Sequence, residues 1–231
     1  MVPALRLQSS AREFAKRLVR RAERAGYCAI VLTVDAPRFG NKERELRPGA
    51  AELPSELRLA HFEGEDAIGE LAPEALSWEA VAWLRSLTDL PIVLKGVLHP
   101  EDAALAVEHG ASGVVVSTHG GRQLDGVPAS IEALPAVVKA VGDRAEAYLD
   151  GGIQRATDVL RAPALGARAV FVGRHPVLRG LAVDGAAGVR GVLELLREGL
   201  ELAMVLAGYP AWRASTRTCC GRGSSRSSPC W

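Results

Sequence analysis

The chain has 231 residues, 48% of them hydrophobic and 24% charged, with 28 basic side chains against 27 acidic ones and a net charge of +1. At roughly 150 residues per domain this length suits one α/β barrel or two small lobes. The composition excludes a disordered chain, and the near-neutral balance excludes a global field for nucleic acid or anionic lipid. No run approaches the ~18 consecutive apolar residues of a membrane-spanning helix, and Met1-Val2-Pro3-Ala4-Leu5-Arg6 lacks the basic and apolar regions of a signal peptide. A soluble, non-secreted protein with no nucleic-acid or membrane partner is expected.

In chain order, residues 10–26 place Phe14, Leu18, Val19 and Ala22 on one helical face and Arg and Lys on the other, which predicts an amphipathic helix. Cys28-Ala29-Ile30-Val31-Leu32-Thr33-Val34-Asp35 is a near-continuous apolar run closed by polar groups, the pattern of a strand buried on both faces of a parallel sheet. Residues 36–75, rich in Pro, Gly, Glu and Arg, read as a long loop, either a lid or an insertion without a role. Four further strands are predicted at 91–95, 113–117, 146–150 and 169–173, separated by helices at 78–87, 101–108, 130–141 and 157–165. The strand ends at 95, 117, 150 and 173 lie 22, 33 and 23 residues apart, the period of a β-α repeat. A last helix over 186–206 closes a body of five β-α units, so the expected fold is α/β, part of a TIM-type (β/α)8 barrel.

The body spans residues 1–210. From 211 to 231 the composition changes to five Ser, four Arg, three Cys and no acid, and a disordered tail foreign to the fold is expected. Cys219, Cys220 and Cys230 lie in this tail without a His and at no zinc spacing, so no metal site is expected. Only Cys28 sits in the body, which suits a reducing compartment or cysteine-independent chemistry.

In a β-α barrel the functional groups gather at the carboxyl ends of the strands. Those positions hold Thr33 and Asp35, Lys95, Ser117 with His119 and Arg122, Asp150-Gly151-Gly152, and Gly173-Arg174. A single polar residue after a strand is commonly a cap or turn former. Five in succession, with a Lys, a His and two Arg among them, are poorly explained that way. His119 can accept a proton near neutral pH, and Arg122, three residues on, can grip a carboxylate with two parallel hydrogen bonds. Asp35, if it faces His119 across the barrel mouth, would orient the imidazole and stabilise its protonated form. The glycines at 151, 152 and 173 expose backbone N–H groups where such barrels hold phosphate.

Together, Thr33-Val34-Asp35, Leu94-Lys95-Gly96, Ser117-Thr118-His119-Gly120-Gly121-Arg122-Gln123-Leu124-Asp125-Gly126, Leu149-Asp150-Gly151-Gly152 and Val172-Gly173-Arg174 resemble the FMN-dependent α-hydroxy-acid oxidases, the family of glycolate oxidase and long-chain 2-hydroxy-acid oxidase. The resemblance runs from about Ser10 to Gly208. It implies FMN as cofactor and oxidation of an L-2-hydroxy acid to a 2-oxo acid, with dioxygen reduced to hydrogen peroxide. His119 resembles the active-site base, Asp35 its partner and Arg122 the clamp on the substrate carboxylate, with Lys42 on the substrate side of the following loop. Lys95 resembles the cation beside the flavin's pyrimidine end, Thr33 and Ser117 flavin contacts, and Asp150, Gly151, Gly152, Gly173 and Arg174 the ribityl and phosphate contacts. A homo-oligomer is implied for the full-length family. A peroxisomal address is implied too, but the last residues carry no Ser-Lys-Leu-like tripeptide, so the cytoplasm is the other expectation.

The sequence departs from the family pattern in identifiable places. Thr118 stands where the family usually has Asn, Lys42 where it has Arg, and Gln154 where a phosphate-binding Arg is expected. His175 is an extra residue between Arg174 and Pro176. The strand ending at Asp35 resembles the fourth of eight, so three β-α units, about 90 residues at the usual ~30 per unit, are expected to be missing together with two substrate-side tyrosines. The alternative expectation is therefore a non-catalytic remnant that binds flavin weakly or engages another protein. A different phosphate-binding barrel, such as an isomerase, would not need the His-Gly-x-Arg core.

Overall fold

The computed structural model describes residues 9–37 and 76–208. Lys42, all but the first two residues of the 36–75 loop, and the 211–231 tail lie outside the described residues. Within them the elements run α1 (Ser9–Arg24), β1 (Ile30–Thr33), α2 (Trp78–Arg85), β2 (Ile92–Val97), α3 (Pro100–Glu108), β3 (Gly113–Val116), α4 (Ser130–Val141), β4 (Glu146–Asp150), α5 (Ala156–Ala164), β5 (Val170–Phe171) and α6 (Arg179–Leu206). No helix among the described residues is long and apolar enough to cross a membrane.

The five strands form one parallel sheet in the order β1-β2-β3-β4-β5. Each new strand adds beside the one before it, with no reversal of order. A doubly wound sheet reverses at a switch point, whereas strictly sequential parallel winding is what curls into a barrel. The sheet is thus a five-strand arc of a TIM-type barrel, as the β-α period predicts.

Alternation along the strands sorts the side chains. Ile30, Leu32, Leu94, Val114, Val116 and Leu149 pack into one core with Val19, Leu84, Leu134 and Val137 of the helices. Thr33, Lys95, Val115 and Tyr148, aligned by the ladders, belong to the opposite face, which would line the barrel. The helices follow from the same apolar spacing. Phe14, Ala15 and Val19 bury one side of α1, and Leu134, Val137 and Val141, three and four residues apart, bury one side of α4. Ala103 and Ala106 of α3 are fully buried, small side chains that let this helix lie close to the sheet.

Four elements differ from expectation, the first being β1, which keeps only Ile30–Thr33 of the expected 28–35. β5 keeps only Val170 and Phe171 of the expected 169–173, because a strand at the rim has ladder partners on one side only. The last helix begins at Arg179 rather than 186, with a corner at Asp184 (φ −151°) and Gly185 (φ +49°). The expected start is the second arm of that corner. Between β5 and α6, Arg174–Leu178 forms a turn of π-helix. A π turn takes up one residue more than an α turn, and this one contains the extra His175.

Candidate functional site

The site begins with a bulge. β1 and β2 are in register from Ile30↔Ile92 to Thr33↔Lys95, while the β2–β3 register shifts between Lys95 and Val97. Gly96 sits in that irregularity at φ +104°, a conformation costly for any residue with a side chain. A Cβ there would lie 2.3 Å from Asp35 Cγ. The absence of a side chain at 96 is what makes room for the Asp35 carboxylate above β2.

Asp35 Oδ1 lies 3.2 Å from His119 Nδ1. The Asp35 side chain is 13% exposed and that of His119 38%, so the acid is enclosed while the ring remains reachable by a solute. His119 is a non-glycine residue in the left-handed region, at φ +55°. Its N–H donates to Ser117 Oγ at 3.0 Å, and the same oxygen accepts from Lys95 Nζ at 2.8 Å. Lys95 is buried, and its second partner is Asp150 Oδ2 at 2.9 Å. At the other side of the loop, Arg174 Nη2 donates to the carbonyls of His119 (3.1 Å) and Gly120 (3.0 Å).

These contacts make one connected chain: Asp150, Lys95, Ser117, His119 and Asp35, with Arg174 attached at His119. Every strand end contributes a member. Placing a lysine ammonium out of water requires a compensating carboxylate and further hydrogen bonds, and Asp150 and Ser117 supply both. Thr33 is buried and paired in register with Lys95. Arg122 is half-buried on the His119 loop. Thr118 Oγ1 accepts from the Gly121 N–H at 3.2 Å and so braces the same turn.

Around the last two strands the space is open. Gly152 (φ +74°) and Gly173 have no atom within 4 Å of where a Cβ would stand, and Gly151 (φ +83°) faces Ser130 Oγ at 3.4 Å. The amides of Gln154 and Arg155, at the start of α5, instead point at Asp158 Oδ2, at 3.1 and 2.9 Å. That carboxylate caps the first turn of α5, while the backbone at Gly152 and Gly173 stays open.

Three contributors escaped sequence reasoning. Gln123 Nε2 donates to the Asp35 carbonyl at 2.9 Å, Ser130 Oγ donates to the Asp150 carbonyl at 2.6 Å, and Gly96 makes room for Asp35. Gln123 and Gly96 lie inside the motifs that point to the site, which was a usable signal. Ser130 looks like an ordinary helix start.

A parallel β-α arc whose five strand ends share one polar network, with a His–Asp pair at the mouth, is the layout of a barrel enzyme. Residues 5–222 match the family described as FMN-dependent dehydrogenase, and the chain belongs to that family. It is 49% identical over 214 residues to human 2-hydroxyacid oxidase 1, covering 85% of this chain and 57% of that protein. It is 48% identical over 222 residues to spinach glycolate oxidase, covering 90% and 59%. Mandelate oxidase with (S)-2-phenylpropionate superposes with a TM-score of 0.79 at 48% identity, over 89% of this chain and 58% of that one. The chain therefore spans less than two thirds of the length of these relatives.

The residues present fit a flavin mononucleotide. Asp150 Oδ1 is buried without a hydrogen-bond partner, an acceptor suited to a hydroxyl-bearing ligand. The open positions at Gly152 and Gly173 leave backbone approachable by a phosphate.

Proposed function

We propose that this chain carries the base, the acid partner and the flavin-facing cation of an FMN-dependent 2-hydroxy-acid oxidase. The reaction converts an L-2-hydroxy acid and dioxygen into a 2-oxo acid and hydrogen peroxide. The observation that carries this reading is the His119–Asp35 pair joined through Ser117 to buried Lys95. Bound FMN would supply the two-electron acceptor that dioxygen reoxidises.

Asp35 holds one ring nitrogen of His119, so the other is directed to take the substrate hydroxyl proton, and the carboxylate stabilises the imidazolium that forms. Arg122 would grip the substrate carboxylate, a role in which the family likeness includes Lys42, and Lys95 would supply positive charge to the flavin's pyrimidine end. Thr33 and Ser117 line the ring system, while Asp150, Gly151, Gly152, Gly173 and Arg174 hold ribityl and phosphate. The assignment of these roles, homo-oligomeric assembly and residence in peroxisomes rest on the family likeness, and a body ending near residue 210 rests on the change in composition that follows it.

The test is His119→Gln in the flavin-loaded protein. It is expected to keep bound flavin and to slow flavin reduction by an L-2-hydroxy acid by about 10²–10⁴-fold in stopped flow; an unchanged rate removes His119 from the mechanism. A second reading, flavin binding without turnover, draws on the outer edges of β1 and β5, which have no strand partner among the described residues. A wild-type chain that turns yellow with FMN yet forms no peroxide from glycolate or longer 2-hydroxy acids would decide for it.

A further inference from the structure

The backbone of His119 is held from both sides. Its N–H is fixed by Ser117 Oγ at 3.0 Å and its carbonyl by Arg174 Nη2 at 3.1 Å, while the next carbonyl, of Gly120, is held by the same nitrogen at 3.0 Å. Between these anchors the residue stands at φ +55°, where a side chain is disfavoured. The direction of its Cβ, and with it the 3.2 Å contact from Nδ1 to Asp35, depends on that conformation. Gly120 shows how close the guanidinium comes, since a Cβ there would lie 1.9 Å from Arg174 Nη2. Arg174 is the first residue of the π turn Arg174–Leu178 that follows β5.

From this geometry we propose that Arg174 is a positioning residue for His119. Its Nη2 holds the base's backbone in the left-handed conformation, and its Nη1 hydrogens, on the far side of the guanidinium from these carbonyls, suit an anion at the end of β5. Anion binding there is thereby linked to the orientation of the base. The catalytic consequence rests on the reading of His119 given above, whereas the backbone role of Arg174 does not.

The experiment uses the full chain without flavin and follows amide hydrogen exchange across 113–126 together with the ring signals of ¹⁵N-labelled His119. Arg174→Met is expected to speed exchange at the hydrogen-bonded amides of His119 and Gly121 about three- to tenfold, the scale set by the net worth of a hydrogen bond, and to shift the His119 ring signals. Exchange at Val114, Val115 and Val116 stays protected. Arg174→Lys keeps a donor without the planar fork and is expected to fall between the two. Unchanged His119 exchange and ring signals in Arg174→Met overturn the proposal. If that variant loses β3 protection as well, Arg174→Lys decides, and wild-type behaviour there overturns it. In the flavin-loaded protein, Arg174→Lys is expected to lower the limiting rate of flavin reduction more than it weakens substrate binding. If His119→Gln leaves reduction unchanged while Arg174→Met still frees the His119 backbone, the catalytic reading fails and the positioning role stands.

Discussion

A methyl group at position 96 would overlap Asp35, with its carbon 2.3 Å from Cγ and 2.4 Å from Cβ. The acid is largely enclosed, so it has little room to yield. Gly96→Ala is expected to cost about 1–3 kcal/mol of stability, the range for overpacking an enclosed site, measured by urea unfolding. A second expected effect is loss of the His119–Asp35 contact, and a variant with wild-type stability and an unmoved Asp35 would contradict the close-approach account. Lys95 offers the opposite test, removal rather than intrusion. Its side chain is 7% exposed and that of Asp150 18%. Lys95→Met leaves the Asp150 carboxylate enclosed without its cation and is expected to destabilise by about 3–5 kcal/mol, whereas Lys95→Met with Asp150→Leu is expected to recover much of that loss. A double variant as unstable as the single one would show that the pair is not the source of the cost.

Among the elements, α6 shows where a local pattern runs out. Its second arm, from 186 onward, has apolar spacing sufficient to predict a helix. The first arm is interrupted by Asp184 and Gly185, and only packing shows that it is helical too. The two arms meet through glycines: a Cβ on Gly188 would lie 2.0 Å from the Gly180 carbonyl oxygen, and one on Gly180 would lie 2.6 Å from that of Gly188. Backbone cannot swing aside as a flexible side chain can. Gly188→Ala is therefore expected to open the corner and cost about 1–3 kcal/mol, read as a lowered urea midpoint. No loss of stability would mean that the arms separate without consequence. The π turn ahead of α6 belongs to the same class of feature, since the additional His175 is visible in the sequence but the π turn that takes it up is not.

Over the whole molecule, the five strands leave β1 and β5 each with an outer edge that has no strand partner among the described residues. Phe171, on β5, is 47% exposed, and unpaired apolar edges recruit other chains. Phe171→Lys is expected to lower light scattering at matched concentration. The same change removes the ring packed 5.8 Å from Tyr148, a contact worth about 0.5–1.5 kcal/mol. A fall of a few degrees in Tm is the accompanying expectation, from roughly 2–4 °C per kcal/mol at this size. Scattering that does not change would show that association does not run through this edge.

The amino-acid sequence by itself determined the order of the β-α units, the parallel sheet and the polar residue at each strand end. These features are local: a strand buried on both faces must be apolar along its length, and its polar terminus is marked by the residues that follow. Which polar groups meet was decided only by the tertiary structure. Lys95 reaches Asp150 and Ser117 because three strands are aligned at one register, Asp35 reaches His119 because a bulge at Gly96 gives it room, and Arg174 reaches the His119 carbonyl because the end of β5 lies across the mouth from the loop after β3. Each of these depends on displacements of a residue or less between strands and turns far apart in the chain. Hydrogen bonds fail over about an ångström, so partners are set by that alignment and not by residue type alone.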